Sequence, residues 1–579
     1  MVDFQIKIAG AAGDGAMAVG LLASKALSRA GFYIFNYSEY PSLIRGGHNT
    51  TTVRASSEPV GSISPKIEIM VALNSESFSM HEDELIDGGI LLWDQKESDH
   101  HVCKRGIHCI HVPFREISKS LGNPLFLNTV ALGALSASLN FSLEFINAAL
   151  KSEFGRKGEA IVSANIKAAK AGFEFVRKNY KAKLPADLAE FIEEKEDKDR
   201  VVMTGNEACA LGAIAAGCGF FAAYPMTPAS AILDEMSALS AKTGILVKQT
   251  EDEISAINMT IGASFAGARV MTATSGGGFA LMCESLGLAA MTETPLVLIE
   301  AMRPGPATGL PTWTDQGDLR FVLHAAQGEF PRIILSPGDA DEAIRLTHLA
   351  FDLADEYHIP VIILTDKNLA ESSYSATWLT KSEQKFTRYG FISDTQLKHS
   401  KDYKRYKITA DGVSPRSIPG QAGGIFRANS DEHTEYGFSS EEALNRSQMM
   451  EKRFRKTEHL SAHLPKPEVY GHSKPKITLF GFGSTKWAIR EAVDILTSKK
   501  IKTRAVHLPV CWPLPTVSLS HYINSSERNF VIENNFTGQL EGLIKQETGD
   551  VFDGHLRKYD GRPFLAEEVA EYARRKISN

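Results

Sequence analysis

Three short segments carry side chains suited to binding an anion beside a second ligand. They are the turn 224–228 (Tyr-Pro-Met-Thr-Pro), the acidic run 251–253 (Glu-Asp-Glu) and the loop 303–306 (Arg-Pro-Gly-Pro). A planar guanidinium binds a carboxylate through two parallel hydrogen bonds, and a glutamate can hold or move a proton. The chain is therefore predicted to form part of an enzyme.

Each of these segments follows a predicted strand. The hydrophobic pattern predicts strands at 220–223, 245–249 and 295–300. In open α/β sheets, ligands bind beyond the carboxyl ends of the strands. Thr250 is the expected N-cap of the next helix, so the acidic run falls in its first turn, where carboxylates also complement the helix dipole without any further role.

A glycine-rich segment follows the strand predicted at 270–274. Ser275 and three successive glycines precede a helical pattern that begins at Phe279. Consecutive glycines after a strand indicate a backbone that something approaches closely.

Length and composition limit the class of protein. The chain has 579 residues, 43% of them hydrophobic and 23% charged, with a formal net charge of -6. These values are typical of a soluble globular protein of several domains. The chain has no dense Lys/Arg stripe interleaved with aromatic residues, so we expect no nucleic-acid partner.

The amino terminus and one uncharged stretch bear on localisation. The first ten residues lack a basic segment followed by a long apolar core, so no secretory signal is expected. The stretch 208–233 is long enough to cross a bilayer, but its central Tyr-Pro turn and Ala/Gly-rich flanks favour helix-on-sheet packing. We therefore expect a cytoplasmic protein without a membrane span.

The six cysteines are widely scattered, without a Cys-x-x-Cys pair. Zinc and iron–sulfur sites draw on closely spaced thiolates. We therefore expect isolated thiols and no metal or cluster on this chain.

The amino-terminal segment predicts the start of a doubly wound α/β unit. A strand at 4–9 is followed by glycines at 10, 13 and 15 and then by a helical pattern. Such a turn offers free N–H groups to a phosphate, which makes Gly13 a candidate contact for coenzyme A or another anion. Arg45, beside two glycines, is a second candidate. A tight turn without a ligand and an ordinary surface ion pair are about equally good interpretations.

Changes in composition divide the chain. Alternating strand and helix patterns continue to about residue 180, and 181–200 is a charged linker. A second α/β domain is predicted at 201–370, a polar irregular region at 371–470, and a third domain at 471–579.

Taken in order, these motifs resemble the 2-oxoacid:ferredoxin oxidoreductases. The usual form of the family's first motif is Tyr-Pro-Ile-Thr-Pro, and the stretch 205–303 is similar to the α part of those enzymes. The stretch 10–47 looks like their γ part, fused ahead of the α part. Further segments resemble the family at 416–420, 432–437, 481–484, 533–540 and 557–564.

The resemblance implies a fold of three α/β domains. These are a γ-type domain at 1–180, a pyrimidine-type domain of thiamine diphosphate enzymes at 201–370, and a transketolase-C-like domain at 471–579.

The resemblance also implies roles for individual residues. Glu253 matches the glutamate that hydrogen-bonds N1′ of the thiamine aminopyrimidine, and it is preferred to Glu251, which cannot share its helical face. Tyr224 and Pro225 match cofactor contacts. Thr227 and Arg303 match the threonine and arginine that bind the oxoacid carboxylate.

In the family, an oxoacid is decarboxylated, electrons pass through iron–sulfur clusters to ferredoxin, and coenzyme A takes the acyl group. The sequence at 13–15 (Gly-Asp-Gly) with Asn36 imitates the family's diphosphate–magnesium motif, but its spacing is short. The resemblance therefore implies a separate β subunit that carries the cofactor diphosphate, Mg²⁺ and a [4Fe-4S] cluster, in an α2β2 assembly.

The substrate and the class of function leave alternatives. The fused γ–α arrangement looks most like the 2-oxoglutarate enzymes, with pyruvate or broad-specificity enzymes as the alternative. A non-catalytic scaffold subunit is a second interpretation. A nucleotide-binding dehydrogenase is a third, for which Glu39 is the only loose candidate for the required acidic residue.

Overall fold

The protein is described from a computed structural model, which covers residues 2–43, 47–94, 106–180, 200–377 and 386–578. Contacts divide it into two compact units. The first comprises Met1–Met203 and Glu371–Trp378, and the second comprises Thr204–Ala370 and Leu379–Asn579. The predicted linker 181–200 lies outside the described residues except for Arg200.

The strands and helices of the described residues have the following bounds. The strands are β1 (Asp3–Ala11), β2 (Tyr33–Glu39), β3 (His48–Ser56), β4 (Ile67–Ala72), β5 (Leu85–Trp93), β6 (His108–His111), β7 (Arg200–Thr204), β8 (Phe220–Ala223), β9 (Leu246–Gln249), β10 (Val270–Thr274), β11 (Leu296–Met302), β12 (Ile333–Leu335), β13 (Pro360–Asp366), β14 (Ser373–Thr377), β15 (Glu468–Gly471), β16 (Ile477–Phe482), β17 (Thr503–Leu508), β18 (Val510–Trp512), β19 (Arg528–Glu533) and β20 (Gly554–Arg557). The helices are α1 (Ala16–Arg29), α2 (Ser75–His81), α3 (Phe114–Ser120), α4 (Leu127–Ser138), α5 (Leu143–Phe154), α6 (Glu159–Asn179), α7 (Gly205–Ala215), α8 (Ser230–Thr243), α9 (Glu253–Phe265), α10 (Gly276–Met291), α11 (Leu319–His324), α12 (Ala340–Tyr357), α13 (Lys367–Glu371), α14 (Asp394–His399), α15 (Ala443–Arg455), α16 (Thr485–Ser498), α17 (Thr516–Asn524), α18 (Gln539–Thr548) and α19 (Ala566–Ser578).

The first unit is built on an eight-stranded mixed sheet with the order β6-β5-β4-β1-β3-β2-β14-β7. Strand β1 is parallel to β4 but antiparallel to β3, and β3 is antiparallel to β2. The expectation of a doubly wound start is therefore wrong for β2 and β3. The connection between them is too short for the crossover that parallel neighbours need, so the two strands form a hairpin.

The second unit contains two sheets. The seven-stranded sheet has the order β18-β12-β13-β11-β10-β8-β9, and its strands are parallel except for β18, which pairs antiparallel with β12. Strands β11 and β13 are buried along their whole length. Continuous burial is typical of central parallel strands covered by helices on both faces.

The five-stranded sheet of the second unit has the order β15-β17-β16-β19-β20. One hydrophobic core joins the two sheets, because Leu298 and Ile334 of the larger sheet pack in the same cluster as Phe480 and Val506 of the smaller one. With three sheets and their flanking helices, the predicted α/β class is confirmed.

The stretch 371–470 is less irregular than predicted. It contains β14, α14 and α15, and β14 extends the sheet of the first unit through β2. Strand β14 and helix α14 are short, and α15 is strongly polar, so the hydrophobic pattern gave no clear period for these elements.

Two further expectations are tested by the described residues. Cys109 is disulfide-bonded, so the expectation of isolated thiols is wrong at that position, whereas Cys209, Cys218, Cys283 and Cys511 are free.

Among the described residues, no helix combines the length and the apolar character that crossing a membrane requires.

Candidate active site

Three neighbouring parallel strands bring the predicted residues to one edge of the seven-stranded sheet. Strand β8 ends immediately before Tyr224, and β11 ends immediately before Arg303. Strand β10 lies between them, and its last residue, Thr274, is aligned with Glu300 of β11. The turn 224–228 and the arginine loop therefore lie at the same end of the sheet, on either side of β10, where open α/β sheets bind their ligands.

Glu253 is the first residue of α9. Asp252 is the N-cap, and its carboxylate accepts a hydrogen bond from the Ser255 N–H at 2.7 Å. The predicted cap, Thr250, instead donates its hydroxyl to the carbonyl of Asp252 at 2.8 Å. The helix thus begins two residues later than predicted, because a carboxylate is the stronger partner for the free N–H groups of the first turn.

Burial separates Glu253 from its acidic neighbour. Glu253 is 3% exposed, whereas Glu251 is exposed and accepts a hydrogen bond from the Ser255 hydroxyl. The buried Oε1 of Glu253 has no hydrogen-bond partner among the described residues. A buried carboxylate oxygen without a donor is costly, so this atom is available to an N–H group of a ligand.

The glycines at 276–278 form the first turn of α10, so this helix begins earlier than predicted. The groups that approach these glycines closely, as predicted, are acidic side chains. A Cβ on Gly278 would lie 2.6 Å from Oε1 of Glu253, and a Cβ on Gly276 would lie 2.5 Å from Oδ2 of Asp318. The first turn of α10 is therefore packed between two acidic groups.

Arg303 lies half-buried at the end of β11. Its Nη1 donates to the backbone carbonyl of Thr227 at 2.6 Å. Within the described chain, no carboxylate forms an ion pair with Arg303 and the Thr227 hydroxyl makes no hydrogen bond. Burial lowers the pKa of Arg303, and Glu300 opposes this effect. Tyr224 and Pro225 are exposed beside Thr227.

Four acidic residues near this edge were not predicted from the sequence. Burial, followed by repulsion from Asp318, raises the pKa of Glu300 well above its ordinary value. Burial raises the pKa of Asp318 to about 6 and that of Asp315 to about 7, and it also raises the pKa of Asp366. The only signal in the sequence was a lone glutamate that ends the otherwise apolar strand 295–300.

The candidate anion contacts of the first unit remain predictions. Gly13 lies in the turn after β1 with φ of 102°, and a Cβ there would meet nothing within 4 Å. In the same turn the Asp14 carboxylate accepts a hydrogen bond from the Ala11 N–H at 2.9 Å, so one amide is already satisfied internally. Arg45 lies outside the described residues.

Two protein-family models match the chain. Residues 211–452 match the family described as pyruvate flavodoxin/ferredoxin oxidoreductase, thiamine diphosphate-binding. Residues 5–175 match the family described as pyruvate ferredoxin/flavodoxin oxidoreductase. The matches define the class as a thiamine diphosphate-dependent oxidoreductase.

Relatives extend these matches to nearly the whole chain. The alpha subunit of 2-oxoacid:ferredoxin oxidoreductase 2 of Aeropyrum pernix is 30% identical over 99% of this chain and 98% of its own length. The corresponding alpha subunit of a Sulfolobus species is 31% identical over 97% and 95%. The chain belongs to the alpha subunits of the 2-oxoacid:ferredoxin oxidoreductase family, as predicted.

A solved structure shares the whole fold. It is described as 2-oxoglutarate:ferredoxin oxidoreductase from Magnetococcus marinus with 2-oxoglutarate, coenzyme A and succinyl-CoA bound. It matches with a TM-score of 0.92 and 32% identity over 100% of both chains.

The residues at the strand ends fit part of thiamine diphosphate. The buried Oε1 of Glu253, which has no partner in the described chain, suits a hydrogen bond with N1′ of the aminopyrimidine, which bears an N–H in the imino tautomer. Tyr224 and Pro225 offer an exposed surface nearby. Among the residues the structure describes, no three His, Cys, Asp or Glu side chains are grouped as a metal ion requires.

Proposed function

We propose that this chain is the alpha subunit of a 2-oxoglutarate:ferredoxin oxidoreductase. The reaction converts 2-oxoglutarate and coenzyme A to succinyl-CoA and CO₂ and passes two electrons to ferredoxin, and it can also run in reverse. Two findings support this substrate. A relative from Archaeoglobus fulgidus, 32% identical over 58% of this chain, is named a 2-oxoglutarate synthase subunit, and the Magnetococcus structure contains 2-oxoglutarate.

The main support for the proposal is that Arg303 is held in position but forms no ion pair in the described chain. Its guanidinium is anchored through Nη1 to the Thr227 carbonyl, a neutral acceptor, and has no ion-pair partner in the described chain. The remaining N–H groups can therefore bind a carboxylate in a fork, which a lysine ammonium cannot do. The Thr227 hydroxyl is an adjacent donor for the same group.

Glu253 supplies the second half of the site. When bound, thiamine diphosphate provides the nucleophile that attacks the oxoacid carbonyl and the electron sink for decarboxylation. Glu253 forms a hydrogen bond through Oε1 with N1′ of the aminopyrimidine. Tyr224 and Pro225 contact the cofactor. Burial of the Glu253 carboxylate keeps water away from that hydrogen bond.

The remaining parts of the reaction need partners. The names of the relatives as alpha subunits support a separate β subunit, to which we assign the cofactor diphosphate, Mg²⁺ and a [4Fe-4S] cluster. We expect an α2β2 complex in the cytoplasm that reduces ferredoxin. Gly13 and Arg45 are the proposed coenzyme A contacts.

The choice of oxoacid is the finer part of the proposal. Several relatives are named only for 2-oxoacids, and the matching family models are described for pyruvate, so a broad-specificity or pyruvate enzyme is the alternative. The two are distinguished by kcat/KM for 2-oxoglutarate and pyruvate with purified complex, and a higher value for pyruvate rejects 2-oxoglutarate as the preferred substrate.

The experiment that tests the site assignment replaces Arg303 in the complex with the β subunit. Removing a bidentate charge-assisted contact costs about 3 kcal/mol or more, so Arg303→Ala should lower kcat/KM at least 100-fold. Thiamine diphosphate should still bind, and Arg303→Lys should recover only part of the loss. Arg320→Ala, an exposed arginine on α11, is the matched control. Unchanged kcat/KM in Arg303→Ala rejects the assignment and favours a scaffold role.

A further inference from the structure

We propose that Glu300 is a positioning residue that shares a proton with Asp318 and so leaves the charge of Arg303 available to the oxoacid carboxylate. The inference rests on the substrate contact proposed above for Arg303. It explains why Arg303 forms no ion pair with Glu300 in the described chain, although Glu300 is near enough to raise its pKa.

Glu300 is placed where an ionised carboxylate is unfavourable. It lies on β11, aligned with Thr274 of β10 on one side and with Leu364 of β13 on the other. Its side chain is 0% exposed, and neither carboxylate oxygen accepts a hydrogen bond within the described chain. Desolvation without donors favours the neutral, protonated form.

Asp318 is the partner that can accept this proton in a hydrogen bond. A Cβ on Gly276 would lie 2.5 Å from Oδ2 of Asp318 and 3.5 Å from Oε1 of Glu300, so both carboxyl groups border the same glycine. A negative charge on one of these carboxyl groups disfavours ionisation of the other, and one shared proton relieves their repulsion.

The loop that carries Asp318 is fixed from the other sheet of the same unit. The Gln316 N–H donates to the Asn534 carbonyl at 2.6 Å, and its Nε2 donates to the Phe482 carbonyl at 2.8 Å. The amino end of α10, which lacks a side-chain cap, lies beside the pair and favours a single negative charge there. Asp318 therefore has a fixed position, and the amino end of α10 favours Asp318 as the ionised residue of the pair.

The charges around Glu300 agree with this assignment. Burial, then Asp318, then Asp366 hold the pKa of Glu300 well above its usual range, and Arg303 opposes them. Burial raises the pKa of Asp318 to about 6, while its hydrogen bond with Glu300 lowers it. At neutral pH the proton therefore stays on Glu300, which donates it to an ionised Asp318.

Protonation of Glu300 has a consequence for Arg303, three positions along the chain. When Glu300 is neutral, the positive charge of the Arg303 guanidinium is not balanced by Glu300. When Glu300 is ionised, it attracts the guanidinium and competes with the substrate carboxylate. Because the pKa of Glu300 is raised, this competition is absent at neutral pH and begins as the pH rises through that pKa. The KM for the oxoacid should therefore rise on the alkaline side.

The test compares the KM for 2-oxoglutarate between pH 6 and pH 9 in the complex with the β subunit, for wild type, Glu300→Gln and Asp318→Asn. In wild type we expect KM to rise as the pH passes the pKa of Glu300, by at most about tenfold per pH unit. Glu300→Gln cannot ionise and should remove this rise. Asp318→Asn removes the repulsion that keeps Glu300 protonated and should shift the rise to lower pH. Parallel profiles in wild type and Glu300→Gln overturn the proposal.

A second readout does not depend on turnover. In the infrared spectrum of the same complexes at neutral pH, the band from the carbonyl stretch of protonated carboxyl groups should be weaker in Glu300→Gln than in wild type by the share of one carboxyl group. An unchanged band in that variant rejects the shared proton. If Arg303→Ala keeps its full kcat/KM, the substrate assignment has failed; if Arg303→Ala is defective but the pH profiles stay parallel, only the role of Glu300 has failed.

Discussion

A Cβ on Gly278 would lie 2.6 Å from Oε1 and 2.7 Å from Cγ of Glu253. The same atom would lie 2.1 Å from the hydroxyl oxygen of Thr274. Both side chains are buried, so neither can move aside easily. Because Gly278 has no side chain, the Glu253 carboxylate can lie beside the carboxyl end of β10.

Gly278→Ala should therefore remove activity without unfolding the chain. Moving the Glu253 carboxylate by even about 1 Å can cost a hundredfold in rate. The measurement is ferredoxin reduction by the complex together with the thermal unfolding curve of each variant.

Gly277→Ala is the matched control for Gly278→Ala. Gly277 is exposed in the same helical turn, and a Cβ there would meet only the Met226 sulfur at 4.0 Å. Alanine at a helical position is favoured over glycine by about 0.5–1 kcal/mol, so this variant should keep its activity and its stability. Equal loss in both variants would contradict the steric account.

Thr227→Val tests the hydroxyl beside Arg303. Losing one hydrogen bond to a charged group costs about 1.5–3 kcal/mol, so the KM for 2-oxoglutarate should rise roughly 10- to 100-fold. Thr227→Ser keeps the hydroxyl and should stay close to wild type. If Thr227→Val binds the substrate as well as Thr227→Ser does, the hydroxyl does not contact the oxoacid.

A buried ion triad anchors the carboxyl end of α10. Glu293 accepts hydrogen bonds from the ammonium groups of Lys452, at 2.5 Å, and Lys456, at 2.6 Å. All three side chains are almost fully buried. Both lysines come from the carboxyl end of α15 and the turn that follows it, within the stretch predicted to be irregular.

Glu293→Gln should destabilise the second unit strongly. Removing one partner of a buried ion pair leaves uncompensated charge and costs about 3–5 kcal/mol, here with two lysines affected. The measurement is the urea midpoint of the chain in complex with the β subunit. Glu284 is an exposed glutamate on α10, and Glu284→Gln should leave that midpoint unchanged. A Glu293→Gln midpoint equal to this control would contradict the prediction.

Much of the site could be predicted from the sequence because its residues directly follow strands. Thr227 and Arg303 come within a few residues of the ends of apolar strands, so their placement at one edge of the sheet followed from general rules of α/β folds. The start of α9 was wrong by two residues because Thr250 and Asp252 can both cap a helix, and the pattern did not show that the stronger cap, Asp252, takes that place.

The carboxyl pair and the ion triad could not be predicted. Glu300 and Asp318 are 18 positions apart, and their proximity depends on a loop held by Phe482 and Asn534 of the other sheet. Long-range hydrogen bonds of this kind leave no periodic signal in the sequence. The hairpin of β2 and β3 was missed for a related reason, since strand direction depends on the length and path of the connection.

The rate at which the C2 proton of thiamine diphosphate exchanges with solvent tests the account most directly. The measurement compares wild type, Glu253→Gln and Glu251→Gln in the complex with the β subunit, by NMR after acid quench. Removing a positioned acid–base group typically costs 10²- to 10⁴-fold, so we predict slowing of about that size in Glu253→Gln and a wild-type rate in Glu251→Gln. Exchange at the wild-type rate in Glu253→Gln would contradict the role assigned to Glu253.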